Sequence, residues 1–181
     1  MPRSPRIVLL ANNVVGLKIA SYLISKKENI AALVLHPKGM EVLGDQIKKA
    51  VKMRRDRVFF ADELRNLKTL RKISELKPDL AISAWFGYIL KKEFIDLFSC
   101  GVINLHNSYL PYNRGKYPHA WAIYKGCPYG VTIHFIDEGI DTVRSNLGVS
   151  TEQAVGRLVT QVKEGGIFAK TWGKAQAALT D

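Results

Sequence analysis

Four apolar runs constrain this chain more than any other feature: "RIVLLA" (Arg6 to Ala11), "IAALVLH" (Ile30 to His36), "DLAISAWF" (Asp79 to Phe86) and "CGVINLH" (Cys100 to His106). None shows the clean polar alternation of a strand with one wet face, and each is parted from the next by residues of helical period. Strands buried on both faces and separated by helices imply a mostly parallel sheet covered on both sides. The expected fold is therefore α/β, a Rossmann-like doubly wound sheet.

The connecting segments complete that reading. "VVGLKIASYLI" is the first helix and "MEVLGDQIKKAVKM" (Met40 to Met53) the second, with "RVFF" a short third strand. Asp62 is expected to cap a helix in which Leu64, Leu67, Leu70, Ile73 and Leu76 recur every third residue, and Pro78 to end it. "KKEFIDLF" reads as a short helix, "PHAWAIYKG" as a helical turn closed by Gly126, and "YGVTIHFID" as another strand.

The 181 residues suit one domain or slightly more, and 47% hydrophobic residues can fill a core. No run reaches the roughly 18 apolar residues of a membrane helix, and no secretory signal is read at the start. Cys100 and Cys127 form no disulfide framework, which fits a cytoplasmic protein with reduced thiols. His36, His106, His119 and His134 lack zinc-motif spacing, so no metal is expected. Oligomeric state is not fixed, and a homodimer is compatible with the chain.

In doubly wound sheets ligands sit beyond the carboxyl ends of the strands. That rim would gather "ANN" (Ala11 to Asn13), "WFGYIL" (Trp85 to Leu90), "NLHNS" (Asn104 to Ser108) and "DEGIDT" (Asp137 to Thr142). The first lacks a G-x-G-x-x-G fingerprint, Gly16 standing alone, so a nicotinamide dinucleotide is disfavoured. Asn104 and His106 lie two apart on a strand and so project from one face. An amide and an imidazole there, with Asp137, Glu138 and Asp141 on the next loop, could polarise a carbonyl and relay a proton. Spacing alone leaves the blander readings open: Asn104 as a turn cap, His106 as a satisfied core histidine, Asp141 as a loop residue, and Trp85, Phe86 and Tyr88 as core aromatics.

The net charge of +11 is concentrated in "IKKAVKMRRDR" and "LRNLKTLRKISELK". Solvated helix faces account for most such runs; a field drawing in an anionic substrate is the alternative. Nucleic acid as a partner rests on charge alone and lacks a recognisable motif.

The runs "INLHNSYLPYNRGKYP" and "GVTIHFIDEGIDT" together closely resemble the formyltransferases that use N10-formyltetrahydrofolate, over roughly residues 6 to 142. The resemblance implies that Asn104, His106 and Asp141 are catalytic. A substrate amine would attack the formyl carbon while Asn104 and His106 stabilise the oxyanion. Asp141 would orient His106 and, through water, help remove the amine proton. It implies a donor pocket formed by Trp85, Phe86, Gly87, Tyr88, Ile89 and Leu90 on one side and Asp137, Glu138 and Gly139 on the other. Asn12, Tyr109, Asn113, Arg114, Tyr117 and His119 would face the acceptor.

The acceptor is narrowed by what the chain lacks. "LLANNVVG" has the wrong composition for the glycine-rich phosphate loop of glycinamide ribonucleotide transformylases. The chain ends at Asp181, so the C-terminal β-barrel of methionyl-tRNA formyltransferases is not expected. A small-molecule amine remains, best an anionic, nucleotide-linked amino sugar. Residues 1–142 would form the catalytic domain and 143–181 a shortened segment with a helix packed on it. Val143 stands where the family usually has Gly, and "VRSNLGVSTEQ" is shorter and more polar than the family's strand. The alternatives are a methionyl-tRNA formyltransferase-like catalytic domain, or a folate-binding protein with impaired catalysis.

Overall fold

The computed structural model describes residues 4–136, apart from positions 111, 116 and 129. Six strands form one sheet in the order β3-β2-β1-β4-β5-β6: β1 (Arg6–Ala11), β2 (Asn29–Leu35), β3 (Val58–Phe60), β4 (Leu80–Ala84), β5 (Val102–His106) and β6 (Thr132–Phe135). All pairings are parallel except β5 with β6. The mostly parallel, doubly wound sheet expected from the apolar runs is thus the observed one.

Side-chain alternation splits each central strand between two cores. Ile7 and Leu9, Leu33 and Leu35, Leu80 and Ile82, and Ile103 and Leu105 pack beneath α1 (Asn13–Ser25) and α2 (Gly44–Val51). Val8 and Leu10, Ala32 and Val34, Ala81, and Val102 pack on the other side against α3 (Leu67–Glu75) and α4 (Lys92–Ile95). Gly16 lets α1 lie close on β1, because a Cβ there would stand 2.9 Å from that of Ala11.

Two expected boundaries move. Residues Met40 to Leu43 are not helical: Asn12 Oδ1 accepts from the Val42 N–H at 2.8 Å, and the Asn13 N–H donates to the Val42 carbonyl at 2.9 Å. Strapping this stretch to the exit of β1 withholds its backbone from helix, so α2 begins only at Gly44. The cap of α3 is Asn66, whose side chain accepts from the Lys68 N–H at 2.9 Å, and not Asp62, which lies in a separate 3-10 turn (Ala61–Arg65). Leu67 consequently stands 77% exposed, outside the core its spacing suggested.

The sheet order reverses between β1 and β4, the place where doubly wound sheets open a crevice beyond their strand ends. There the Asn12 N–H donates to the Ala84 carbonyl at 3.2 Å, and the two exits separate. No helix of the described residues is long and apolar enough to cross a membrane.

Candidate active site

On the face shared by Val8, Leu10 and Ala81, the sheet turns polar at one corner. Ser83 pairs with Asn104 across β4 and β5, and Asn104 pairs with His134 across β5 and β6. All three are therefore carried on one face, two of them buried to within 2% exposure. Burying such groups without partners costs about 1–3 kcal/mol each; here they satisfy one another. The Ser83 hydroxyl donates to Asn104 Oδ1 at 2.9 Å, and Asn104 Nδ2 lies 3.2 Å from His134 Nε2.

His106 ends β5 on the same face, buried, its ring edge-on to that of His134 with centroids 6.3 Å apart. Its Nε2 donates to the Asn113 carbonyl at 3.2 Å. In the neutral ring this bond puts the proton on Nε2 and makes Nδ1 the basic nitrogen. The structure thus brings Asn104 and His106 together as their two-residue spacing predicted.

The loop after β5 is held over this corner by a second network. The Ser108 hydroxyl donates toward the carbonyls of Tyr112 (2.8 Å) and Asn113 (3.3 Å). Thr132, fully buried at the start of β6, donates to the Ser108 carbonyl at 2.7 Å and accepts from the Leu110 N–H at 3.0 Å. The loop passes through left-handed backbone at Asn113 (φ 54°), which an Asn tolerates better than most residues. Both amide atoms of Asn113 are buried without a hydrogen-bond partner among the described residues.

The expected donor segment leaves β4 through Trp85, itself in left-handed backbone (φ 58°). Phe86 and Leu90 turn into the core, whereas Ile89 is 71% exposed and Trp85 38%. Open space surrounds the position a Gly87 Cβ would take. The result is an apolar lip beside the polar corner, of the kind a flat heterocycle could lie on. Tyr88 packs with Phe86 against His36 at the end of β2, with centroids 5.0 and 5.4 Å from the imidazole. Burial lowers the His36 pKa, against the opposing charge of Glu41, and His36 Nε2 and Glu41 Oε2 are both buried without a partner among the described residues.

The other predicted acceptor residues are dispersed. Asn12 is buried and its Oδ1 is committed to Val42. Tyr109 is partly exposed and lies over Gly130, while Arg114 and Tyr117 are exposed at the mouth, with Tyr117 preceding α5 (Pro118–Lys125). Asp137, Glu138, Gly139, Asp141, residues 143–181 and the side chain of His119 lie outside the described residues. Ser83, His134 and Thr132 were missed as site residues. Ser83 is the sole polar side chain in "LAISA", which is a usable signal; the partnership with His134 needs the register of β6.

Comparison with known proteins bears on the family and the fold. The family model described as Formyl transferase matches residues 8–165. The methionyl-tRNA formyltransferase of Ruminiclostridium cellulolyticum is 31% identical over 146 residues, covering 75% of this chain and 47% of that relative. That of Desulforamulus reducens is 40% identical over 91 residues, covering 48% and 29%. The chain spans about half the length of the curated relatives it matches. Among solved structures, the phosphoribosylglycinamide formyltransferase of Anaplasma phagocytophilum superposes with a TM-score of 0.63 at 19% identity, covering 88% of this chain and 79% of its own. A 4-N formyltransferase of Francisella tularensis gives 0.60 at 19%, covering 88% and 66%. At such identities these structures share the fold.

Proposed function

The chain belongs to the formyl transferase family, and from that premise we propose that it transfers a formyl group from N10-formyltetrahydrofolate to the primary amine of a small anionic molecule, a nucleotide-linked amino sugar. The observation that carries the reading is the polar corner made by Ser83, Asn104, His106 and His134 on a sheet face that is apolar across β1 and β2. Apolar burial is what stabilises that face elsewhere, so four polar side chains here are explained by chemistry at the strand ends better than by packing.

The folate brings the formyl group and, once that is lost, leaves as an amine. The lip of Trp85, Gly87 and Ile89 would hold its pteridine, together with Asp137, Glu138 and Gly139. Asn104 directs an amide N–H at the negative charge that grows on the formyl oxygen, where a preorganised donor is worth about 2.7–4 kcal/mol. His106 takes up a proton at Nδ1 and, so charged, adds a second hydrogen bond there. Asp141 orients His106 and takes part in removing the amine proton. Asn113, Tyr109, Arg114, Tyr117 and His119 face the acceptor, and the amide of Asn113, unpartnered among the described residues, supports that placement.

A second reading has its own support: the curated relatives are methionyl-tRNA formyltransferases, which favours a catalytic unit acting on methionyl-tRNA. One assay separates the two. The protein is given N10-formyltetrahydrofolate with nucleotide-linked amino sugars or with methionyl-tRNA, and formylated product is measured. Turnover of an amino sugar is expected; turnover of methionyl-tRNA alone would move the assignment to the second reading. Calorimetry should show binding of 5-formyltetrahydrofolate and none of NAD, and the reverse would remove the folate assignment.

A further inference from the structure

We propose that Ser83 and His134 are positioning residues which fix the orientation of the Asn104 amide, so that its N–H, and not its carbonyl, faces the reacting oxygen. The inference rests on the reading of Asn104 as the amide that meets the formyl oxygen. The two ends of an Asn side chain have nearly the same shape, so packing alone does not decide between them. A flipped Asn104 would present a carbonyl oxygen to a growing negative charge and oppose the reaction.

A directed chain of hydrogen bonds settles the orientation. It starts at the Phe135 main-chain carbonyl, which can only accept. His134 Nδ1, 3.0 Å away, therefore carries a proton. In a neutral imidazole the other nitrogen, Nε2, is then an acceptor. The atom facing it at 3.2 Å must be a donor, which makes it Asn104 Nδ2. Asn104 Oδ1 then lies on the opposite side, where the Ser83 hydroxyl donates to it at 2.9 Å. One hydrogen of Nδ2 is taken by His134, and among the described residues the second is left for the crevice. Reversing the amide would set two acceptors face to face at His134. The strand pairings place all three residues in one row, so the clamp is built on rigid β-structure.

Ser83 is the sharper test because Ser to Ala is nearly isosteric in a packed strand. Ser83→Ala should lower kcat about tenfold while the dissociation constant of 5-formyltetrahydrofolate changes less than about twofold, and Ser83→Thr should recover most of the loss. In an Asn104→Ala background the same Ser83→Ala change should have almost no effect, since the amide it orients is gone. An equal loss in both backgrounds would overturn the proposal. A readout independent of turnover is the tautomer of His134 in the ligand-free protein, observed by long-range nitrogen–proton correlation spectroscopy. A proton on Nδ1 is expected; a neutral ring protonated on Nε2 would overturn the clamp. Absence of formyl transfer by the parent protein on every acceptor would sink the functional reading, and the tautomer would still decide the clamp by itself.

Discussion

His106 Nε2 donates to the main-chain carbonyl of Asn113 at 3.2 Å, joining the end of β5 to the loop that crosses above it. One bond thus sets the neutral tautomer of the histidine and anchors the residue whose own amide has no partner among the described residues. His106→Ala should reduce formyl transfer at least about a hundredfold, the scale of a positioned acid–base group. Folate binding should barely change, because the apolar lip lies on the β4 exit. Steady-state rates with calorimetric titration check this, and full activity in the variant would remove His106 from the mechanism.

Thr132 holds the same loop through two bonds of its single hydroxyl, to the Ser108 carbonyl and the Leu110 N–H. Thr132→Val keeps the shape and removes both of these buried bonds. Stability in urea should fall by about 1–3 kcal/mol. The KM for the amine should rise more than that for the folate, since the loosened loop carries Asn113 and Arg114. Equal changes in both KM values would mean that the loop does not bear on the acceptor.

Most of the sheet was legible because its information is local. Continuous apolar runs of five or six residues separated by helical period leave a parallel sheet as the economical solution. The misplaced boundaries came from side-chain hydrogen bonds, one tertiary and one a local cap, that helical period does not see. Asn12 captures the Val42 N–H, and Asn66 outcompetes Asp62 as the cap of α3. The same limit applies at the site. Asn104 and His106 are visible through strand periodicity, whereas the roles of Ser83 and His134 depend on which strands are neighbours and in what register. Phe86 and Leu90 turn their side chains into the core, which suits a segment whose motif implies a pocket lined largely by backbone groups.

His36 predicts a pH dependence. Burial between Phe86 and Tyr88 holds its pKa below the ordinary 6.5, with the charge of Glu41 opposing the shift. Between the lowered folded value and 6.5, the unfolded chain binds more protons than the folded one, so stability rises with pH. This contribution is complete above 6.5 and is lost as pH falls through the folded value. Urea midpoints across that range should show the step. His36→Phe should flatten it, and Glu41→Gln should deepen it by removing the charge that favours the imidazolium. A step unchanged in both variants would assign it to another group.

Gly16 predicts a steric limit at the contact of α1 with β1. A methyl group there would stand 2.9 Å from the Ala11 Cβ and 3.1 Å from its carbonyl carbon, which is backbone and cannot rotate away. Although Ala is the better helix former by about 1 kcal/mol, overpacking should win, and Gly16→Ala should destabilise the fold by about 1–3 kcal/mol. A rise in the thermal midpoint would show that α1 can lift from the sheet at little cost.

The last prediction separates function from stability at Asn113. Its amide nitrogen and oxygen are both buried without partners among the described residues, in a backbone conformation with φ 54°. A buried polar group in that state costs about 1–3 kcal/mol, so a side chain kept only for folding would do better as something else. Asn113→Gly removes the orphaned amide and suits the left-handed backbone, at the expense of some lost packing. These contributions oppose one another, and the variant should stay within about 1 kcal/mol of the parent in urea. If the amide is held for the acceptor, the KM for the amine should rise at least about tenfold, equivalent to one lost hydrogen bond of about 1.4 kcal/mol. The folate dissociation constant should not move, because the donor lip lies on the other strand exit. An unchanged amine KM with unchanged stability would show that Asn113 serves neither purpose, and the acceptor would then have to be sought nearer Arg114 and Tyr117.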